Sequence, residues 1–85
     1  MNDAELARIV AALDEGQVLI TRHQEDEWGI ARVGGDAPER HVYRYWSSRF
    51  GPGEQHTEER LDGAGVRARL AGYTYAAIRA RLRRL

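Results

Sequence analysis

Eighty-five residues make room for one hydrophobic core and not for two. Leucine, isoleucine, valine and phenylalanine supply only 17 of them, but 13 arginines balance 13 acids, so the high net charge that accompanies disorder is missing and a folded, core-poor domain is expected. With no cysteine, disulfides, thiolate zinc sites and thiol nucleophiles are excluded.

The chain opens on Met1-Asn2-Asp3-Ala4-Glu5, acidic and without the basic and apolar stretches of a signal peptide. Its longest apolar run, Ile9 to Leu13, is far short of a membrane span, so a cytoplasmic protein with no membrane contact is expected. Asn2 with Glu5 three residues on is a variant capping box, and Asp3 adds negative charge at the positive end of a helix dipole. Leu6, Ile9, Val10 and Leu13 follow at i, i+3, i+4 and i+7, a single apolar stripe at helical period. Gly16 then supplies the left-handed residue that ends a helix.

Beyond Gly16 the period shortens to two. Val18-Leu19-Ile20-Thr21 predicts a strand, Gln24 to Glu27 a polar turn, and Trp28 to Val33 a second strand closed by Gly34-Gly35. A third strand runs from His41 to Trp46 after the loop around Pro38. Gly51-Pro52-Gly53 predicts a tight turn that folds Glu54 to Glu59 back as a polar edge strand. Connections this short favour an antiparallel meander. On the third strand His41, Tyr43 and Tyr45 share one side, and Val42, Arg44 and Trp46 the other; alternation alone leaves open which side covers the core.

Helical spacing returns in the last third. Asp62 is a good N-cap, with Leu61 and Val66 at the positions of a hydrophobic staple; Thr74 repeats the grammar with Tyr73 and Ile78. Val66, Leu70, Tyr73 and Ala77 share one face, whereas Ile78, Leu82 and Leu85 lie roughly 120° away on a 3.6-residue wheel. Two helices joined near Gly72 are therefore expected, the second from Thr74 to Leu85. The whole is a single small α+β domain over residues 1–85: an N-terminal helix, an antiparallel three- to four-stranded meander, and a C-terminal helix pair packed on one face of the sheet, with Ile9 and Ile78 in a common core. The order of the first five elements resembles that of double-stranded RNA-binding domains. Asp62-Gly63-Ala64-Gly65 stands where their basic second helix begins, and their function is not carried over.

Chemistry leaves little linear trace. His23, His41 and His56 have no metal-binding spacing, and in the meander His23 and His41 fall at opposite ends of the sheet. Ser47-Ser48 lacks a nucleophile elbow, no glycine-rich loop has a phosphate-binding spacing, and a chain without lysine forms no Schiff base. No catalytic residue, metal or cofactor is expected. The chain reads as a non-catalytic binding or regulatory domain acting through protein contacts, with another protein or with itself as a homodimer. Trp28, Tyr43, Tyr45 and Trp46 are the interface candidates.

Nucleic acid is the alternative partner. Residues 1–15 carry four acids and one arginine, residues 16–61 eight acids and six arginines, and residues 62–85 one acid and six arginines. Ala68, Gly72, Tyr73 and Ile78 fall where a helix-turn-helix needs a small residue, a turn glycine and two apolar positions, so the segment 62–85 resembles that motif. The resemblance implies Thr74 and Tyr75 at a groove, with Arg79, Arg81, Arg83 and Arg84 on phosphates. A solvated helix end is the plainer account of the same arginines.

Overall fold

Residues 1–85 are described by a computed structural model. Helix α1, Asp3–Asp14, starts where Asn2 Oδ1 accepts from the Glu5 amide at 2.8 Å and the Glu5 carboxylate accepts from the Asn2 amide at 2.9 Å. This box satisfies two of the amides that a helix start leaves without partners. The helix closes in a Schellman turn: Gly16, at φ 98°, donates to the Leu13 carbonyl, and Gln17 donates to that of Ala12, each at 3.0 Å. Leu6, Ile9, Val10 and Leu13 are its buried residues, the stripe that the spacing predicts.

Five strands follow, not three or four: β1, Val18–His23; β2, Asp26–Gly34; β3, Val42–Arg49; β4, Gln55–Leu61; and β5, Leu82–Arg83. They form one antiparallel sheet in the order β4-β3-β2-β1-β5. The first hairpin is tighter than expected. His23 pairs with Asp26 across a two-residue turn in which Gln24 takes φ 54°. Asp26 and Glu27 therefore belong to β2 and not to the turn, and Glu27 sits opposite Arg22 in an ion pair of 2.7 Å. The polar edge strand forms as β4, turned by Gly51 and Gly53 at φ 97° and 78°. Every β4 residue but Leu61 is exposed, and charged side chains on such an edge oppose strand addition.

Helix α2, Gly63–Leu70, is capped by Asp62, whose carboxylate accepts from the Gly65 amide at 2.7 Å. Helix α3 is only Tyr75–Arg79, capped by Thr74, whose hydroxyl accepts from the Ala77 amide at 3.3 Å. The expected helix from Thr74 to Leu85 is thus corrected: it stops after one turn and the chain becomes β5. Leu82 lies opposite Leu19, and Ile20 donates to the Arg81 carbonyl at 3.2 Å. Two forces favour the strand. Pairing satisfies the main chain of β1, which would otherwise end the sheet, and a helix would set Arg79 against Arg83 at i, i+4, a repulsive spacing.

Helix α1 meets α2, α3 and β2, while α2 meets β3 and β4. The core joins Leu6, Ile9, Val10 and Leu13 to Leu19, Ile30 and Tyr43 of the strands and to Val66, Leu70 and Ile78. Ile9 and Ile78 do share it. The register decides which sheet face is inside: Leu19, Thr21, Trp28, Ile30, Tyr43 and Tyr45 point to the helices, and Ile20, Gly29, Arg44 and Trp46 to the opposite, open face. No helix is long and apolar enough to cross a membrane.

Candidate functional site

The open face is a closed polar arrangement around Trp46. Ile20, Gly29, Trp46 and Glu58 form one row across β1 to β4, continued by Arg81 just before β5. The Trp46 ring occupies the space over Gly29, and the residue is only 9% exposed; a Cβ on Gly29 would stand 2.1 Å from Trp46 Cζ2 and 2.6 Å from the Leu19 carbonyl oxygen. Trp46 Nε1 donates to Glu27 at 3.3 Å, and the Arg44 guanidinium covers the ring 4.9 Å from its centroid. Arg44 also pairs with Glu58, which accepts from His56 Nε2 at 3.1 Å, and His56 Nδ1 meets Ser48 Oγ at 2.7 Å. The Arg44 guanidinium, with His56 second, holds the Glu58 carboxyl at about 2, below its ordinary 4.5. Hydrogen bonding from Arg22, reinforced by Trp46 against a burial effect, likewise draws Glu27 down.

Serine, histidine and glutamate in a hydrogen-bonded series invite comparison with a nucleophilic triad. Ser48, on β3, lies between Glu27 of β2 and His56 of β4. Glu58 Oε1 accepts from both Arg44 and His56, and its carboxylate is held to the guanidinium over Trp46. A second polar group lies under α1. Asp14 accepts from the Tyr43 hydroxyl and meets His41 Nδ1 at 2.7 Å. Burial, and then Asp14 itself, raises the Tyr43 phenol well above its ordinary value, so it remains a neutral donor. This group ties the start of β3 to the end of α1. No three of the histidines, aspartates and glutamates come together as ligands for a metal ion.

The interface candidates therefore separate. Tyr43 is 1% exposed and in the core, Trp46 is sealed under Arg44 on the open face, and Trp28 and Tyr45 lie together on the helix side where the helices stop. Trp28 stands 6.0 Å from Tyr45 and 5.3 Å from Tyr73, centroid to centroid, and Arg69 covers Tyr45 at 4.5 Å while pairing with Glu59. Beside Trp28 opens a cleft of about 190 Å³ lined by Thr21, Trp28, Tyr73, Ala77, Ile78 and Arg81. The Thr21 hydroxyl donates to the Trp28 carbonyl at 3.1 Å and so presents no free donor there.

Around the same sheet edge, on the open side, a depression of about 470 Å³ is lined by Ile20, Arg22, Ala80, Arg81 and Arg83. Arg81 Nη1 donates to the Ala77 carbonyl at 3.1 Å, and Arg83 Nη1 to those of Ala80 and Leu82 at 2.8 and 3.0 Å. These bonds anchor each side chain by one nitrogen and leave the rest of the guanidinium free. Arg79, Arg81, Arg83 and Arg84 are all exposed, and none lies within ion-pairing distance of a carboxylate, unlike Arg22, Arg40, Arg44, Arg49 and Arg69; Arg8, Arg32, Arg60 and Arg67 are also exposed and unpaired, but only the first four fall within six consecutive residues. Thr74 spends its hydroxyl on its own helix, and Tyr75 is half-buried against the core. The structure thus gathers Arg81 and Arg83 and brings to them Arg22, Ile20 and Tyr73. Sequence reasoning missed Arg22 altogether; its signal was the apolar–basic alternation of Ile20 and Arg22 on one side of β1. No family model, no curated protein and no solved structure matches the chain.

Proposed function

We propose that the chain is a small non-catalytic binding domain whose ligand is nucleic acid, held at the sheet edge formed by β1 and β5. The observation that carries this reading is the set of arginines from 79 to 84, four side chains close together in the chain and none with a carboxylate partner. Arg81 and Arg83 line the edge depression, and guanidinium groups without carboxylate partners raise the local positive potential, where phosphate oxygens accept their planar fork of donors. Helix α3, at five residues, is too short to lie in a major groove, so this reading replaces the recognition-helix geometry by an edge that grips phosphates. A gel-shift series at low salt tests it. Retention that weakens steeply with salt supports the reading, and no retention of DNA or RNA at about 100 µM protein, the weak end of non-specific binding, sinks it.

A second reading, contact with another protein or with a second copy of the chain, is favoured by the strip of Trp28, Tyr45 and Tyr73 beside Arg69, residue types enriched at interfaces. Against it, of the exposed large apolar residues Val33, Val42, Phe50, Tyr73 and Leu85, only Tyr73 belongs to this strip, Val33 and Val42 being neighbours at the far end of the β2–β3 ladder. Sedimentation equilibrium of the wild type and of Tyr73→Glu decides between them: a dimer at micromolar concentration that the substitution dissociates supports the protein reading.

A further inference from the structure

We propose that the β1–β5 edge binds single-stranded nucleic acid, with one unpaired base in the Trp28–Tyr73 cleft and the adjoining phosphates on Arg81, Arg83 and Arg22. The inference rests on the nucleic-acid reading above and names the form of the ligand. Two depressions flank the same edge and share one residue, Arg81: the aromatic cleft on the helix side and the arginine-lined depression on the open side. A ligand matching both is flat and aromatic at one point and anionic at the next, and a nucleotide in an unpaired strand has that order. No carboxylate lines either depression.

The cleft suits a base. Trp28 and Tyr73 pack on one another, centroids 5.3 Å apart and tilted 39°, so a base does not pass between them; Tyr73 is 44% exposed, and a base entering the cleft lies against this aromatic pair from outside. Stacking on aromatic rings needs no particular base, because every base has a π-face. A duplex keeps its bases stacked inside, and nothing on this edge is built to extract one. Arg81, held by the Ala77 carbonyl, stands at the mouth of the cleft, and Arg83 follows two residues along β5, about 6.8 Å further on. Arg22 completes the depression while its other edge holds Glu27, so it meets a phosphate without first breaking its ion pair. An acidic polypeptide offers the same charge to the arginines but brings no ring to the cleft at a fixed distance from it.

The test uses Trp46→Phe, which leaves Trp28 as the single tryptophan, titrated at low salt with an oligothymidylate of about twelve nucleotides, within the span of known single-strand sites. The expected result is quenching of Trp28 emission, with affinity reduced about tenfold by Tyr73→Ala and by Arg81→Gln while the thermal transition holds. Log affinity should fall with log salt at a slope of about −2, from three single-strand phosphate contacts. Should Trp46→Phe disturb the sheet, the indole N–H of Trp28 in the wild-type proton–nitrogen spectrum serves as the reporter. A duplex of equal length bound as tightly, with Trp28 unperturbed, overturns the single-strand inference and leaves the nucleic-acid reading standing. Polyglutamate bound as tightly as the oligonucleotide overturns it in favour of the protein reading. No binding of any of the three overturns both.

Discussion

Two sets of arginines sit on one sheet and differ in what surrounds them. Arg44, in the middle, is pressed over Trp46 and fastened to Glu58; its charge is used up inside the molecule. At the edge Arg81 and Arg83 donate only to carbonyl oxygens, and neither they nor the nearby exposed Arg79 and Arg84 lie within ion-pairing distance of a carboxylate. The central set explains how a five-stranded sheet with one uncovered face seals a tryptophan without a second layer of helices. The edge set has no such internal account. Charge that folding has already neutralised stabilises the fold, and charge that it leaves exposed is what a ligand can still use.

The largest effect concerns what the two regions share. Ile9 on α1 and Ile78 on α3 are both buried to within 1%. Replacing either with alanine should cost about 2–5 kcal/mol, through reduced burial and the cavity left behind. Because α3 leads directly into β5, Ile78→Ala should also loosen the edge, seen as faster hydrogen exchange of the Ile20 amide that bonds Arg81. Thermal denaturation that leaves either variant at the wild-type transition would separate the edge from the core and break the link between the regions.

Next comes the seat of Trp46. Gly29→Ala puts a methyl group where the indole and the Leu19 carbonyl already are; the indole must lift off its seat, and the carbonyl cannot yield without moving β1. The fold should weaken by about 1–3 kcal/mol, the usual cost of overpacking, with a red shift in Trp46 emission as the ring lifts away. A smaller effect follows from acid. The Glu58 carboxyl is held at about 2 in the folded chain against 4.5 ordinarily. A depressed carboxylate contributes stability above its unfolded value and loses it as pH falls through the folded one, so the transition temperature should drop between about pH 5 and pH 2. Arg44→Met should flatten that part of the profile, whereas substitutions at Arg79, Arg83 or Arg84 should leave it unchanged, since no carboxylate is tied to them.

Much of the fold was legible because its signals are local. Asn2 and Glu5 announce the start of α1, Gly16 its end, and Leu6 to Leu13 its inner face, all within one helix length. Gly51 and Gly53 do the same for the turn into β4. The end of the chain was not legible, because Arg81-Leu82-Arg83 fits two periods at once. Leu82 aligns with Ile78 and Leu85 on a helix, and it also stands between two arginines as strand residues do. What decides is the unpaired edge of β1, about sixty residues earlier in the chain, and Leu85 ends 96% exposed and in no stripe at all. The site shows the same limit. Tyr43 and Tyr45 are indistinguishable by alternation, yet one lies under α1 and the other at the margin, because the difference depends on where the helices stop.

The smallest stability effect is the sharpest test of the comparison. Exchanging Arg79, Arg83 and Arg84 together for glutamine removes three positive charges and no ion pair, so stability should change by no more than about 0.5 kcal/mol, as for surface sites generally. Arg44→Gln removes one charge, uncovers an indole and leaves Glu58 without its main partner, and should cost about 1 kcal/mol. Urea denaturation of the two variants side by side measures both. If the triple is destabilised as much as Arg44→Gln, these arginines are structural and the distinction between the two sets fails. If its stability instead rises, the like charges were repelling one another, a cost that folding bears in order to keep them together. A salt series on single-stranded nucleic acid adds a second reading, because loss of the Arg83 contact should make the slope shallower by about 0.7, and any further flattening brings Arg79 or Arg84 to the phosphates as well. A triple that keeps its stability while its slope flattens assigns these charges to a ligand; a triple that changes in neither respect returns them to solvent.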